Sequence, residues 1–128
     1  MSMDNRTENQ QQTVQQSHTV IDYKFNEPNL VNELQAYIDA TYDEHYANGK
    51  YQATDMIIDA GHGTGFCIGN VLKYGKRYGT KGTPADQRKD LLKILHYAII
   101  QLNVHDQDHG VEKIGPLTPG WRYNAIAL

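Results

Sequence analysis

The sequence predicts a mainly α-helical protein, a small helical bundle of about four helices between a disordered N-terminal tail and an extended C-terminal arm. Apolar residues recur at helical spacing in several stretches between residues 30 and 103. Clusters of glycine, proline and asparagine separate those stretches. The two ends of the chain carry no such repeat. We therefore divide the chain into a tail at 1–19, a helical domain at 20–110 and an arm at 111–128.

The N-terminal tail is rich in Gln, Asn, Thr and Ser and holds no aromatic side chain. It cannot bury enough apolar surface to offset the entropy lost on ordering, so we expect disorder. Residues 20–25 alternate apolar and polar side chains. This pattern is typical of either an edge strand or an extended arm.

The first two helices are predicted from apolar periodicity and from the breakers that follow it. Pro28 opens the first helix near Leu30, and the Asn-Gly pair at 48–49 ends it. The second helix covers 52–60, and we expect its inward-facing residues to be Ala53, Met56 and Ile57. The glycine-rich segment 61–65 then breaks the chain.

The third and fourth helices are predicted at 65–78 and from Thr83 to about Asn103. Gly63 or Thr64 is the expected N-cap of the third helix. Thr83 caps the fourth and is followed by a proline at its first position. The fourth helix carries an apolar stripe formed by Leu91, Leu92, Leu95, Ala98, Ile99 and Leu102.

Composition excludes several classes of protein. The 128 residues fit one domain, and no apolar stretch is long enough to span a bilayer. The N-terminus lacks the pattern of a secretory signal. A single cysteine, Cys67, excludes a disulfide framework and a cysteine-based zinc cluster, and we expect it to be a small core residue. We therefore expect a protein of the reducing cytoplasm that makes no membrane contact.

Charge is unevenly distributed along the chain. The net charge is −3, yet residues 73–93 carry a net +5 and the remaining residues −8. A locally basic surface on an acidic protein favours small anionic ligands over extended nucleic acid. The alternative is a solvated helix face without a ligand.

One face of the third helix has the composition of a ligand site. Its residues lie at i, i+4, i+7, i+8 and i+11 and are Phe66, Asn70, Lys73, Tyr74 and Arg77. Arginine and lysine bind phosphate oxygens, aromatic rings stack on bases and an asparagine reads a base edge. The alternative is a face that pairs with acidic residues of a neighbouring helix.

The fourth helix adds a second polar face with Asp90, Lys93 and Tyr97. Asp90 either forms a salt bridge with Lys73 or Arg77, which we prefer, or holds Mg²⁺ together with phosphate oxygens. The Gly-His-Gly-Thr-Gly segment at 61–65 does not fit the phosphate-loop pattern, and we read it as a turn between helices. The six histidines show no zinc-binding spacing.

Two short motifs resemble a family of small phage proteins. The first is Gly-Asn-x-hydrophobic-Lys-Tyr-x-x-Arg-x-Gly-x-Lys, here at 69–81, and the second is Asp-Leu-x-Lys-x-x-x-Tyr, here at 90–97. The His-Tyr pair at 45–46 and the acid at Asp55 are also similar. The resemblance covers about residues 45–103. The family includes the nucleotide kinase of short-tailed coliphages.

The resemblance implies phosphoryl transfer to deoxynucleoside monophosphates in the infected host cytoplasm, without a phosphate loop and in an oligomer. For such a reaction, which needs positioning and charge neutralisation, we expect Lys73, Arg77 and Asp90 to be catalytic residues, with Asp90 at a magnesium ion. The resemblance also implies nucleotide contacts from Asn70, Lys73, Tyr74, Arg77, Lys81, Lys93 and Tyr97.

Two other functions remain open at this point. A non-catalytic protein that sequesters a nucleotide fits the basic stripe equally well, and the sparse acidic residues favour it. An all-helical nucleotide pyrophosphohydrolase needs paired Glu-x-x-Glu and Glu-x-x-Asp motifs, which the sequence lacks. We also expect a homo-oligomer, because the C-terminal arm carries Trp121, Tyr123, Ile126 and Leu128 without a helical or hairpin pattern.

Overall fold

The computed structural model describes residues 20–47 and 49–117. Four α-helices and one π-helical turn occupy the part from Asn26 to Lys113, which forms one compact unit. The helices are α1 (Glu27–Ala47), α2 (Lys50–Ile57), α3 (Gly63–Arg77) and α4 (Pro84–Asp108). No strand is present in the described ranges, so the helical fold class is confirmed. The predicted tail at 1–19 and the four apolar side chains of the C-terminal arm lie outside the described residues.

The helix boundaries follow the breakers in the sequence. Gly49 adopts a left-handed backbone (φ 71°) at the start of α2, next to the predicted Asn-Gly break. Thr83 caps α4 as predicted. Its hydroxyl accepts the backbone N–H of Asp86, and the Asp86 carboxylate accepts the backbone N–H of Thr83 in return.

The segment between α2 and α3 is more continuous than predicted. The expected break at 61–65 is instead a π-helical turn (Ile58–His62) in which Gly61 has a φ of +88°. As a result, α3 starts at Gly63 and its N-cap is His62. The predicted N-cap residues, Gly63 and Thr64, lie inside the helix instead. The polypeptide from α2 to α3 is therefore a kinked helical run.

Packing of α3 against α4 forms the centre of the unit. Gly63 lies so close to α4 that an added Cβ atom would meet the Val104 methyl carbons at 3.2 Å. Cys67 is fully buried, as predicted, and burial raises the pKa of its thiol. At the other end, a bidentate contact between Arg88 and Glu33 joins α4 to α1.

Two expectations about the helices are wrong. Ala53 and Met56 do not face inward, since Met56 is 68% exposed; α2 instead turns Tyr51 and Thr54 toward its neighbours. Helix α4 continues five residues beyond Asn103, because the polar segment up to Asp108 contains no breaker before Gly110.

The described residues outside the helical unit, 20–25 and 114–117, contain no regular secondary structure. The edge-strand alternative for 20–25 is therefore wrong, and these residues form an irregular segment. Large apolar side chains in both segments are exposed: Val20, Ile21, Phe25, Ile114 and Leu117. In the described part of the chain, no helix is both long and apolar enough to cross a membrane.

Candidate functional site

All four helices contribute side chains to a cleft rich in tyrosine. The cleft is lined by Tyr37 and Thr41 of α1, Tyr51 and Thr54 of α2, Tyr74 of α3, and Lys93, His96, Tyr97 and Ile100 of α4. Aromatic rings combined with a few polar groups are typical of pockets that bind small organic molecules. We call this group of residues the tyrosine cleft.

Tyr74 and Tyr97 bring the predicted faces of α3 and α4 together. Their rings are nearly parallel, with an interplanar angle of 14° and centroids 6.2 Å apart. The edge of Phe66 meets Tyr97 at a centroid distance of 5.8 Å. Three aromatic residues selected by their spacing in the sequence therefore form one continuous cluster.

The opposite wall of the tyrosine cleft is held by hydrogen bonds and ring stacking. The Thr41 hydroxyl donates to the Ile38 carbonyl at 2.8 Å and lies 2.9 Å from the Tyr51 hydroxyl. Since threonine has a single hydroxyl hydrogen, Tyr51 is the donor in the second contact. The Tyr51 ring also stacks on Tyr42 with centroids 4.3 Å apart. This wall is therefore fixed in position by α1.

Burial favours the neutral form of three phenols of the cleft. Desolvation raises the pKa of Tyr37, Tyr51 and Tyr97 above the ordinary value of 10.0. For Tyr51, the hydrogen bond with Thr41 opposes part of that increase. At neutral pH these side chains therefore keep their protons and offer hydroxyl groups, without a phenolate charge.

Two lysine ammonium groups lie over the same tyrosine ring. Lys73 Nζ is 4.8 Å and Lys93 Nζ is 4.9 Å from the centroid of Tyr74. Both distances are within the range of a cation–π contact. Two positive charges are thus held near one aromatic surface at the edge of the tyrosine cleft, where an anion would be attracted to both.

Arg77 and Asp90 form an ion pair between the end of α3 and the first part of α4. Arg77 Nε lies 3.6 Å from Asp90 Oδ2. Asp90 is only 3% exposed, whereas the Arg77 side chain is 45% exposed. The structure therefore contains the salt bridge that we preferred for Asp90.

The surroundings of Asp90 offer little to a magnesium ion. Oδ2 is buried, accepts no hydrogen bond and faces a guanidinium, so a cation there would meet a positive charge. Across residues 20–47 and 49–117, no group of three or more His, Cys, Asp and Glu side chains is arranged to hold a metal. The donor set around Asp90 does not fit a resident Mg²⁺. Contact between Asp90 and a Mg²⁺ that arrives with nucleotide phosphates stays a prediction.

Of the seven predicted nucleotide contacts, Tyr74, Lys93 and Tyr97 line the tyrosine cleft, whereas Asn70, Lys73, Arg77 and Lys81 do not. The Asn70 side-chain amide donates to the Phe66 carbonyl of its own helix at 2.9 Å. Lys81 lies exposed in the loop between α3 and α4. The roles of these two residues as ligand contacts stay predictions.

A second cleft adjoins the tyrosine cleft and shares part of its wall. The residues common to both are Tyr51, Thr54, His96 and Ile100. The second cleft has a volume of about 320 Å³, at the lower end of the range for small-molecule pockets. The two clefts therefore share a wall built from α2 and α4.

The sequence did not identify the contribution of α1 and α2 to the site. Tyr37, Thr41, Tyr51 and Thr54 all line the tyrosine cleft. Each occurs at a helical spacing that equally fits ordinary core packing. They are far from Tyr74 along the chain, and nothing in the sequence indicated that they line the same cleft as Tyr74.

Residues 40–99 match the model of a protein family of unknown function, DUF3310. The matched segment includes most of the tyrosine cleft and the Arg77–Asp90 pair. No curated protein and no solved structure is significantly similar to the chain.

Proposed function

We propose that this protein is a phage nucleotide-binding protein that acts as a nucleoside monophosphate kinase in deoxynucleotide metabolism. The observation that supports this most directly is the pair of lysine ammonium groups over Tyr74, at the edge of an aromatic cleft. A nucleotide has the matching chemistry, because an aromatic base and an anionic phosphate are joined by a short sugar.

The aromatic residues suit the base. Tyr74 and Tyr97 present nearly parallel rings, and a base can extend this stack. Base–aromatic stacking contributes about 1–3 kcal/mol per base. The neutral hydroxyl groups of the cleft supply hydrogen-bonding partners without repelling a negatively charged ligand.

The basic residues suit the phosphate. Lys73 and Lys93 supply two point charges, and Arg77 supplies a planar fork of donors. Phosphoryl transfer depends mostly on such positioning and charge neutralisation. An oxygen of the monophosphate attacks the γ-phosphorus of ATP, the bond to the bridging oxygen breaks, and ADP leaves. Mg²⁺ would enter with the ATP phosphates and neutralise part of their charge.

The test combines turnover with binding. The protein is incubated with each of the four deoxynucleoside monophosphates, ATP and Mg²⁺, and new diphosphate is measured by chromatography. Calorimetric titration with the same monophosphates measures the dissociation constant. We expect Lys93→Ala to weaken binding at least tenfold. Lys89→Ala removes an exposed lysine of the same helix away from the cleft, and we expect it to change binding less than twofold.

A second candidate is a nucleotide-binding protein without catalytic activity. The observation that favours it is the pairing of Asp90 with Arg77, together with the absence of any carboxylate among the residues that line the tyrosine cleft. Binding without new diphosphate supports this candidate. If no nucleotide binds to the wild-type protein, both candidates are wrong.

A further inference from the structure

Asp90 is an unusual residue for the interior of this helical unit. It is one of only a few buried side chains in the described segments, and its Oδ2 atom accepts no hydrogen bond. A buried carboxylate oxygen without a hydrogen bond is costly, and an apolar residue at such a position is often as stable or more so. Stability alone therefore does not explain an aspartate here.

The ion pair with Arg77 gives the carboxylate a role. Oδ2 approaches the guanidinium from the inside, at Nε, while almost half of the arginine side chain is open to solvent. A guanidinium has five N–H donors, so a carboxylate that forms an ion pair with it on the Nε side leaves the terminal donors for an acceptor outside. Arg77 is also the last residue of α3, and its side chain lies at the surface.

We infer that Asp90 is a positioning residue that holds the Arg77 guanidinium ready for a phosphate of the ligand. This inference depends on the proposed function, since it concerns the same site. A side chain that is already ordered loses less conformational entropy on binding, so the pair raises affinity without touching the ligand. On this view the carboxylate acts through arginine and not through a metal ion.

The experiment is calorimetric titration of the full chain with each deoxynucleoside monophosphate and with inorganic pyrophosphate. We expect Asp90→Asn to weaken binding about tenfold, with or without Mg²⁺. Asp108→Asn removes the same charge from an exposed position of α4, and we expect a change of less than twofold. An effect of Asp90→Asn that appears only when Mg²⁺ is present would identify a metal ligand and overturn the inference.

A double variant shows whether Asp90 acts through Arg77. In the Arg77→Lys background, we expect Asp90→Asn to change binding less than twofold, because the residue it positions is already altered. A full tenfold loss in that background would contradict the inference. If wild type binds no probe, the proposed function has failed; if wild type and Asp90→Asn bind equally, only this inference has failed.

A measurement on the wild-type protein covers the case in which Asp90→Asn does not fold. Nuclear magnetic resonance of the arginine Nε–H groups reports whether Arg77 is ordered before any ligand is added. We expect a resolved Arg77 Nε–H signal whose relaxation shows restricted side-chain motion. A signal averaged by free rotation would overturn the inference.

Discussion

Tyr74 connects the groups of the candidate site at the scale of single residues. Its ring is stacked with Tyr97, lies under the ammonium groups of Lys73 and Lys93, and lines the tyrosine cleft. It lies three positions before Arg77 on the same helix. The aromatic and the basic parts of the site therefore meet at one buried side chain.

We predict that Arg77 is the main phosphate contact. Arg77→Lys keeps the charge but removes the bidentate fork, and we expect a loss of about 1.5–3 kcal/mol in nucleotide binding, the range for a hydrogen bond to a charged group. Lys76→Ala, at the next position and exposed, is the control and should lose far less. Calorimetric titration compares them. If Arg77→Lys binds as tightly as wild type while Lys76→Ala binds more weakly, the ligand site lies on a different face of α3 from the one predicted.

We predict that the Cys67 thiol does not react in the folded protein. It is fully buried, and desolvation raises its pKa, so at pH 8 it forms less of the reactive thiolate than a free cysteine. Mass spectrometry after treatment with iodoacetamide should show no alkylation under native conditions and complete alkylation in urea. Rapid modification of the native protein would mean that α3 and α4 separate readily.

At the scale of elements, the close approach of α3 to α4 depends on a glycine. We predict that Gly63→Ala destabilises the fold by about 1–3 kcal/mol, the usual cost of overpacking, because the new methyl group would meet Val104 at 3.2 Å and Ile58 at 3.3 Å. Gly69→Ala on the same helix meets no atom within 4 Å. It should raise stability by up to about 1 kcal/mol through helix propensity. Thermal denaturation distinguishes the two, and equal melting temperatures would contradict the packing seen here.

Two exposed carboxylates at helix contacts make stability sensitive to acid. The pKa of Asp86 is lowered by hydrogen bonds from the backbone and hydroxyl of Thr83, and that of Glu33 by its hydrogen bond with Arg88. A lowered pKa in the folded state means that the ionised form stabilises the fold. This contribution is present above the ordinary values of 3.8 and 4.5 and is lost as the pH falls through the lower folded values.

Denaturation with urea between pH 7 and pH 2.5 measures this effect. We predict a decline in the free energy of unfolding below about pH 4.5, and a shallower decline in the double variant Asp86→Asn, Glu33→Gln. An identical decline in the variant would assign the acid sensitivity to other groups.

The sequence predicted the elements better than the faces they bury. Breakers such as the Asn-Gly pair at 48–49 and Thr83-Pro84 act locally, so the helices could be located from neighbouring residues alone. Which face of α2 is buried depends on the helices that it packs against. Apolar character alone predicted that Met56 faces inward, whereas Tyr51 does. For the same reason the basic stripe of α3 was visible in the sequence, while the α1 wall of the tyrosine cleft was not.

At the scale of the whole molecule, much of the apolar surface remains uncovered in a single chain. Large side chains on α3 and α4 are exposed, among them Leu72 and Leu102, which is 64% exposed. The predicted stripe of α4 shares this property, since Leu91, Leu95, Ala98 and Ile99 are also exposed. Exposed apolar patches of this kind are typical of protein–protein contacts.

We predict a homo-oligomer on this basis and on the apolar residues of the C-terminal arm. Light scattering at micromolar concentration should return a multiple of the 14.5 kDa chain mass. Leu102→Lys should lower that mass while leaving the helical circular-dichroism signal unchanged, because the side chain has few contacts within its own chain. A monomer mass for the wild-type protein would refute the prediction.

The width of the tyrosine cleft depends on how strongly the chain bends at the π-helical turn. One wall of the cleft includes Tyr51 and Thr54, before the kink at Gly61, and another includes Tyr74, after it. Local departures from α-helical hydrogen bonding are points where helices bend. A change in the bend at Gly61 would move one wall relative to the other. A ligand that touches both walls would therefore restrict this bending. Its affinity would depend on the backbone flexibility at Gly61, a residue that does not line the cleft.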